Sequence, residues 1–286
     1  MLQLKAYAKI NLSLKIMGKR PDGFHEIESV MQSVSLCDYI TLTQIPSGIQ
    51  LTTSNPQLPN DNRNLAYKAA ELFFRTQNTE HGTPTTGVSI YIEKNIPVAA
   101  GLAGGSADAA AVLWGLNQMS NVDSRPCLPA GRFSIDELIE LGAQIGSDVP
   151  FCLLGGNCLV KGRGEKIENR KSKIENRSYV LIVPEIEVST RWAYEEFDRR
   201  IIDSPQLIVG NNQLESVVAK KYPIIREIKE MLLNLGCSSA QMSGSGPSVF
   251  GEVKDASAGE KILSQIRSEY PKSYLIDPVP QGVETA

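Results

Sequence analysis

The stretch NIPVAAGLAGGSADAA, residues 95–110, is the part of the sequence that indicates most about the fold. An alternating, strand-like segment, GVSIYIEKNIP (87–97), runs into it, and an alanine-rich helical segment follows it. Glycines allow backbone N–H groups to converge on an anion, and the start of a helix adds a partial positive charge. A strand, a glycine turn and a helix in this order are typical of a phosphate-binding loop.

We call residues 97–107 the glycine loop and treat all of it as a candidate nucleotide-binding element. Its members are Pro97, Val98, Ala99, Ala100, Gly101, Leu102, Ala103, Gly104, Gly105, Ser106 and Ala107. A Walker loop would end in Gly-Lys-Ser/Thr, but no lysine follows these glycines. The spacing also fails the G-x-G-x-x-G pattern of dinucleotide-binding folds. The open alternatives are a packing turn and a phosphate loop whose cation comes from elsewhere.

The first strand offers that cation. Apolar residues occupy every second position from Leu2 to Ile16, which predicts a strand with one buried and one polar face. Lys9 lies on the polar face together with Asn11 and Ser13. Next to Lys9 this face carries the short side chains of Asn11 and Ser13, as the wall of a pocket would. The alternative is a solvated surface lysine.

Asp148, in GSDVPF (146–151), is the best candidate for a general base. The alternative is a turn aspartate that bonds its own backbone. Ser106 has a hydroxyl suited to phosphate or magnesium, or to capping the helix. We expect Asp108 to interact with the helix dipole. His25, in RPDGFHE (20–26), lies in a glycine turn that is compatible with ligand recognition or with packing.

Composition excludes several classes of protein. The net charge of -3 gives no basic surface for nucleic acid, and no uninterrupted apolar run has the length of a membrane span. The five cysteines show no CxxC spacing, which indicates reduced thiols. The N-terminus has no signal-peptide pattern. We therefore expect a cytoplasmic protein without a nucleic-acid or membrane partner.

Helical and strand segments mix without a regular βαβ alternation, which predicts an α+β fold. We place a domain division near residue 160, giving domains 1–160 and 161–286. The clearest helix is NLAYKAAELFFRT (64–76), with Asn64 as N-cap, and Ser134 and Glu137 form a capping box for another. GSDVPFCLLGGNCLVKG (146–162) predicts a turn followed by sheet.

Three motifs resemble those of the GHMP small-molecule kinases, which are named after galactokinase, homoserine kinase, mevalonate kinase and phosphomevalonate kinase. They are AYAKINLSL (6–14), PVAAGLAGGSADAA (97–110) and SGSGPSVFG (243–251). Two longer segments, 8–32 and 145–156, resemble the branch that phosphorylates a cytidine-diphosphate-linked methylerythritol on its 2-hydroxyl, in the non-mevalonate route to isoprenoid precursors. The resemblance implies an N-terminal nucleotide-binding domain, a ferredoxin-like C-terminal domain and an active site between them.

The resemblance also implies roles for individual residues. The glycine loop would wrap the phosphates of ATP, with Mg²⁺ and Ser106 nearby, and no residue is assigned as a direct metal ligand. Lys9 and Asp148 would be catalytic. The adenine would lie near Asn64 and Lys94. The cytidine-bearing acceptor would contact Asn11, Phe24, His25 and Tyr194, with the base between the Phe24 and Tyr194 rings.

This chain departs from the family pattern in three places. Phenylalanine stands at position 24, where the family usually has tyrosine, and residues 124–132 and the near-duplication within 166–177 are insertions. We interpret the charged duplication as a solvated hairpin extension. Two alternatives stay open, namely a GHMP kinase acting on homoserine or mevalonate, and a catalytically inactive nucleotide sensor on the same fold.

Overall fold

The computed structural model describes residues 1–77, 87–120, 133–170, 177–203 and 210–286. Its strands form two separate sheets. The first sheet has seven strands: β1 (Leu2–Lys19), β2 (His25–Ile45), β3 (Ile49–Thr53), β4 (Gly87–Glu93), β5 (Asn157–Gly162), β6 (Lys166–Asn169) and β11 (Val283–Thr285). The second has four: β7 (Ser178–Ile182), β8 (Ser239–Met242), β9 (Val249–Val253) and β10 (Ser273–Ile276).

Eight helices in the described ranges cover these sheets. They are α1 (Leu65–Gln77), α2 (Gly104–Met119), α3 (Ile135–Ile145), α4 (Val149–Leu154), α5 (Thr190–Asp203), α6 (Glu215–Lys221), α7 (Ile224–Asn234) and α8 (Ala256–Ile266). None of the helices in these ranges is long and apolar enough to cross a membrane. The predicted N-cap and capping box are confirmed, because Asn64 accepts from the Ala66 amide and Ser134 pairs reciprocally with Glu137.

The first sheet is built around the long strand β2. Its first half pairs with β5 and its second half with β4, while β1 runs antiparallel along nearly its whole length. Helix α2 lies against β1 and β2 and is surrounded by α1, α3 and α4. Buried alanines make up much of α2, which allows this close packing on all sides.

The second sheet has the strand order β10-β7-β9-β8, and every neighbouring pair is antiparallel. In chain order the unit is one strand, helices, two strands, a helix and a last strand, which is the ferredoxin-like arrangement. The predicted α+β fold with a ferredoxin-like second unit is therefore confirmed. The chain then returns, and β11 pairs with β1 in the first sheet. The first sheet therefore includes β5 and β6, which extend to Asn169, as well as the last strand, β11.

Strand β1 follows the predicted alternation but serves two cores. Leu4 and Ile10 pack in the core under the first sheet, whereas Leu14 and Ile16 pack in the core of the second unit. The β1–β2 register shifts between Asn11 and Ser13, which marks a β-bulge at the change from one core to the other.

Two local predictions need correction or restriction. Residues 149–154 were expected to lead directly into sheet, but they form α4 before β5 begins, with Pro150 in the first turn where its missing N–H costs no hydrogen bond. The start of the first copy of the duplication, Lys166–Asn169, forms β6, which pairs with β5 as a hairpin and is largely exposed. Residues 124–132 and most of the second copy lie outside the described residues.

Candidate active site

A cavity of about 1250 Å³ lies between the two units. Lys9, Asp148 and the glycine loop line it together with Phe24, His25 and Tyr194, except that Leu102 and Ala107 of the loop are buried in the hydrophobic core instead. Pockets for a single drug-sized ligand usually measure about 300–1,000 Å³. The cavity is therefore larger than a site for one ligand usually is, and, apart from Leu102 and Ala107, the residues implied by the family resemblance line this one space.

The glycine loop has an alternating backbone conformation. Ala99, Gly101 and Ala103 have φ values of 55°, 78° and 60°, in the left-handed region. A Cβ atom on Gly101 would lie 2.6 Å from the carbonyl oxygen of Ser243, so only glycine fits there. Helix α2 begins at Gly104 without a side-chain cap, which leaves its first N–H groups to bind an anion.

The second glycine turn packs directly on this loop. The Ser243 hydroxyl donates to the Gly101 carbonyl at 3.2 Å, and the Ser248 hydroxyl donates to the Ala100 carbonyl at 2.6 Å. These contacts place the turn at 243–246 directly beside the glycine loop. The second unit therefore shapes the glycine loop of the first.

Lys9 is buried rather than solvated, with 5% of its surface exposed. Its ammonium group donates to the Asn11 side-chain oxygen at 2.8 Å and to the Gly101 carbonyl at 3.1 Å. The Asn11 amide in turn donates to the Ser29 hydroxyl at 2.8 Å. Both polar ends of Asn11 thus contact protein groups and hold the lysine in place. The polar face of β1 is buried here because the two glycine turns cover it.

Asp148 lies at the start of α4, and its nearer carboxylate oxygen is 3.5 Å from the Lys9 ammonium. The carboxylate makes no capping hydrogen bond to its own helix, and its side chain is 30% exposed to the cavity. This geometry argues against the alternative of a turn aspartate bonded to its own backbone. A carboxylate next to a fixed ammonium group can accept a proton from a bound hydroxyl.

Three aromatic rings mark the other end of the cavity. His25 stacks on Tyr194 with 4.7 Å between ring centroids, whereas Phe24 is 48% exposed and contacts neither ring in the structure. The Phe24–Tyr194 sandwich therefore stays a prediction about the ligand-bound protein. Nε2 of His25 lies 2.7 Å from Asp198. Since a carboxylate only accepts, Nε2 donates the hydrogen in this contact, and Nδ1 is an acceptor in the tautomer that carries no second hydrogen.

Asp198 was not identified from the sequence, although it lies one helical turn after Tyr194 in α5. Its carboxylate accepts from Lys19 at 2.7 Å as well as from His25. Partial burial acts against the charged form, but these two hydrogen bonds hold the pKa of Asp198 below its ordinary value. The sequence did offer one signal: Asp198 lies four residues after Tyr194, so the two side chains share one face of a helix.

Lys94 lies in a buried ion-pair cluster at the base of the glycine loop. Its ammonium group contacts Asp38 of β2 and lies 2.7 Å from Asp108 of α2. Asp38 also accepts from the backbone N–H groups of Asn95 and Ile96. We call Asp38, Lys94 and Asp108 the buried triad. Its lysine borders the cavity, as does Asn64, but the charge of Lys94 is directed at protein carboxylates.

Two carboxylates share a single ammonium group in the buried triad. The pKa of Asp108 is raised to about 8, mainly by burial. The positive charge of Lys94 lowers this pKa, and the negative charge of Asp38 raises it further. Although burial disfavours its charge, the two carboxylates raise the pKa of Lys94. Among the described residues, Oδ1 of Asp108 has no hydrogen-bond partner. Asp108 was expected only to interact with the helix dipole, and the structure instead buries it in the triad.

Asp108→Asn is expected to become more stable relative to the parent protein as the pH rises. The pKa of Asp108 is higher in the folded than in the unfolded protein. Its contribution to the free energy of unfolding is therefore largest below about pH 4 and is lost as the pH rises to about 8. Asparagine has no such dependence. Urea unfolding of both proteins across this range measures the difference, with Asp136→Asn on the exposed start of α3 as control. A difference that stays flat or falls with pH would contradict the assignment.

Two protein-family models match the chain. They are described as GHMP kinases N terminal domain, over residues 64–156, and GHMP kinases C terminal, over residues 193–272. The 4-diphosphocytidyl-2-C-methyl-D-erythritol kinase of Clostridium botulinum is 40% identical over 291 residues, covering 96% of this chain and 99% of that protein. The enzyme of the same name from Acetivibrio thermocellus is 42% identical over 267 residues, with coverages of 87% and 89%.

Solved structures show the same likeness. A crystal structure of 4-(cytidine 5'-diphospho)-2C-methyl-D-erythritol kinase superposes with a TM-score of 0.76 at 28% identity, covering 96% of this chain and 98% of the other. Homoserine kinase from Cytophaga hutchinsonii superposes with a TM-score of 0.74 at 19% identity, with coverages of 100% and 97%. At that identity the second likeness concerns the fold alone.

Proposed function

We propose a reaction for this chain on the basis of its family: it belongs to the 4-diphosphocytidyl-2-C-methyl-D-erythritol kinases within the GHMP kinases. The reaction is transfer of the γ-phosphoryl group of ATP to the 2-hydroxyl of 4-diphosphocytidyl-2-C-methyl-D-erythritol. The reaction belongs to the non-mevalonate route to isoprenoid precursors. The cytoplasmic location expected from the sequence stays a prediction.

The observation that carries the proposal is the Lys9–Asp148 pair between the glycine loop and the aromatic end of the cavity. Phosphoryl transfer depends mainly on positioning and on stabilising charge. Asp148 accepts the proton of the acceptor hydroxyl as the oxygen attacks phosphorus. Lys9, held by Asn11 and Gly101, orients the carboxylate and stabilises negative charge that develops on the transferred group.

The nucleotide half is formed by the glycine loop and the start of α2. Uncapped N–H groups there bind the phosphates of ATP. Among the described residues no cluster of three acidic, histidine or cysteine side chains is arranged to hold a metal. This fits Mg²⁺, which usually keeps several waters and takes most other ligands from substrate phosphates. Ser106, which lines the cavity, would offer its hydroxyl on the phosphate side, and the ion would offset phosphate charge.

The acceptor half is formed by Phe24, His25 and Tyr194. Aromatic faces suit the stacking of a pyrimidine, at about 1–3 kcal/mol per base. With Nε2 donating to Asp198, Nδ1 of His25 is suited to accept from the exocyclic amine of cytosine. Neither homoserine nor mevalonate has a base that would use these rings.

Purified protein with Mg²⁺ and ATP is expected to release ADP when the cytidyl acceptor is added, because both halves of the cavity are then filled. A coupled ADP assay with the cytidyl acceptor, homoserine and mevalonate in parallel separates the candidate functions. Faster turnover of homoserine or mevalonate would contradict the acceptor. Binding of ATP without turnover of any acceptor would favour the inactive sensor.

A further inference from the structure

Arg163 is a cation of the cavity to which the mechanism above gives no role. It lies between β5 and β6, in the hairpin turn Gly162-Arg163-Gly164. Its guanidinium group lies 5.3 Å from the centroid of the Phe24 ring, and one of its N–H groups donates to the Ala143 carbonyl at 2.9 Å. Guanidinium carries five N–H donors, so most of them are still available to a ligand.

The other cationic side chains that line the cavity each have a carboxylate within 4 Å. These pairs are Lys9 with Asp148, Lys19 with Asp198, Arg63 with Asp61, Lys94 with Asp38 and Asp108, and Arg191 with Glu195. Arg163 has no such partner among the residues that the structure describes. The Asp22 carboxylate acts on this charge only from beyond ion-pair distance, so the guanidinium group is still suited to an anionic ligand.

The turn that carries Arg163 is fixed against the catalytic segment. Gly164 has a φ of 129°, and a Cβ atom there would lie 2.4 Å from the carbonyl oxygen of Ser147, the residue before Asp148. The backbone of the turn thus adjoins the Asp148 end of the acceptor half, while the guanidinium group reaches the Phe24 end. Arg163 spans the distance between the two.

The covalent order of the acceptor matches this order in space. Its reacting hydroxyl lies in the methylerythritol group at one end, its cytosine is at the other, and the diphosphate joins them. We infer that Arg163 binds the diphosphate group of the cytidyl acceptor, between the base stack at Phe24 and the hydroxyl at Asp148. This inference rests on the proposed function. Planar guanidinium groups suit such oxygens because they can donate two parallel hydrogen bonds.

Binding of cytidine and of CDP tests this without turnover. Calorimetric titrations with saturating ADP, which occupies the nucleotide half, compare the parent protein with Arg163→Gln. CDP affinity is expected to fall about tenfold or more, the effect of losing charge-assisted hydrogen bonds, while cytidine affinity changes less than about twofold. Arg163→Lys should recover part of the CDP affinity, because the lysine ammonium group restores the positive charge but not the paired hydrogen bonds. Phe24→Ala should weaken the binding of both ligands equally. Arg199→Gln, which removes a charge outside the cavity, should weaken the binding of neither.

Three results would overturn the inference. Equal loss of cytidine and CDP affinity in Arg163→Gln would mean that Arg163 acts through the Phe24 ring. A raised KM for ATP with unchanged CDP affinity would assign the anion to the nucleotide. Unchanged affinity for every ligand would leave Arg163 a solvated arginine. The proposed function fails by a different result, the absence of ADP release from the parent protein with the cytidyl acceptor.

Discussion

Asp148→Asn is expected to lower kcat for the cytidyl acceptor by at least ~100-fold, the usual scale for removal of a general base. The amide keeps the size of the side chain but cannot accept the hydroxyl proton. Because the carboxylate is partly exposed and makes no capping bond, the melting temperature should hardly change. Rates of ADP release at saturating substrates measure the effect. Near-normal turnover would remove Asp148 as the base.

Lys9→Met is expected to lower kcat by a similar factor, about 100-fold or more, because it removes the charge that stabilises the transferred group. Methionine fills the buried space, so this variant separates the charge from the packing. Lys15→Ala is the matched control, since it removes an exposed lysine from the same strand. If Lys9→Met and Lys15→Ala had equal effects on kcat, the charge of Lys9 would have no catalytic role.

The largest effect on stability is expected for Asp38→Ala, a loss of about 3–5 kcal/mol in the free energy of unfolding. Asp38 is fully buried, and its removal would deprive Lys94 of one carboxylate and two backbone N–H groups of their acceptor. Those N–H groups belong to residues 95 and 96, just before the glycine loop. The KM for ATP should therefore also rise.

Urea unfolding and ATP kinetics on Asp38→Ala measure the two effects, with Asp38→Asn as the matched variant. Asparagine keeps an oxygen for the backbone N–H groups, so it should retain more stability than alanine. A loss of less than about 1 kcal/mol in Asp38→Ala would mean that the buried triad contributes no more than a surface ion pair.

Short-range patterns were sufficient to predict much of this structure. The alternation along β1, the cap at Asn64 and the glycine loop before α2 depend on neighbours in sequence, and each is found. The resemblance to a kinase family then indicated which side chains line one cavity. Helix α4 was missed because six mostly apolar residues fit a short buried helix as well as a strand.

The remaining contacts depend on partners far apart in the chain. Asp38 lies in β2, Lys94 directly follows β4 and Asp108 lies in α2, and no spacing in the sequence connects them. Burial of Lys9 likewise depends on residues 243–246, which belong to the second unit. Periodicity predicts which face of a strand is polar, but not what covers that face.

Because β1 contributes to both hydrophobic cores, it mechanically couples the two halves of the protein. Domains that close around ligands usually rotate about a few residues that absorb the change in backbone angles. A rotation of the halves about β1 would bend the strand at the bulge between Asn11 and Ser13, because this irregularity in the pairing with β2 coincides with the change from one core to the other. Asn11 is the residue that holds the Lys9 ammonium group. Closure of the cavity would thus be transmitted along one strand to the charge beside Asp148.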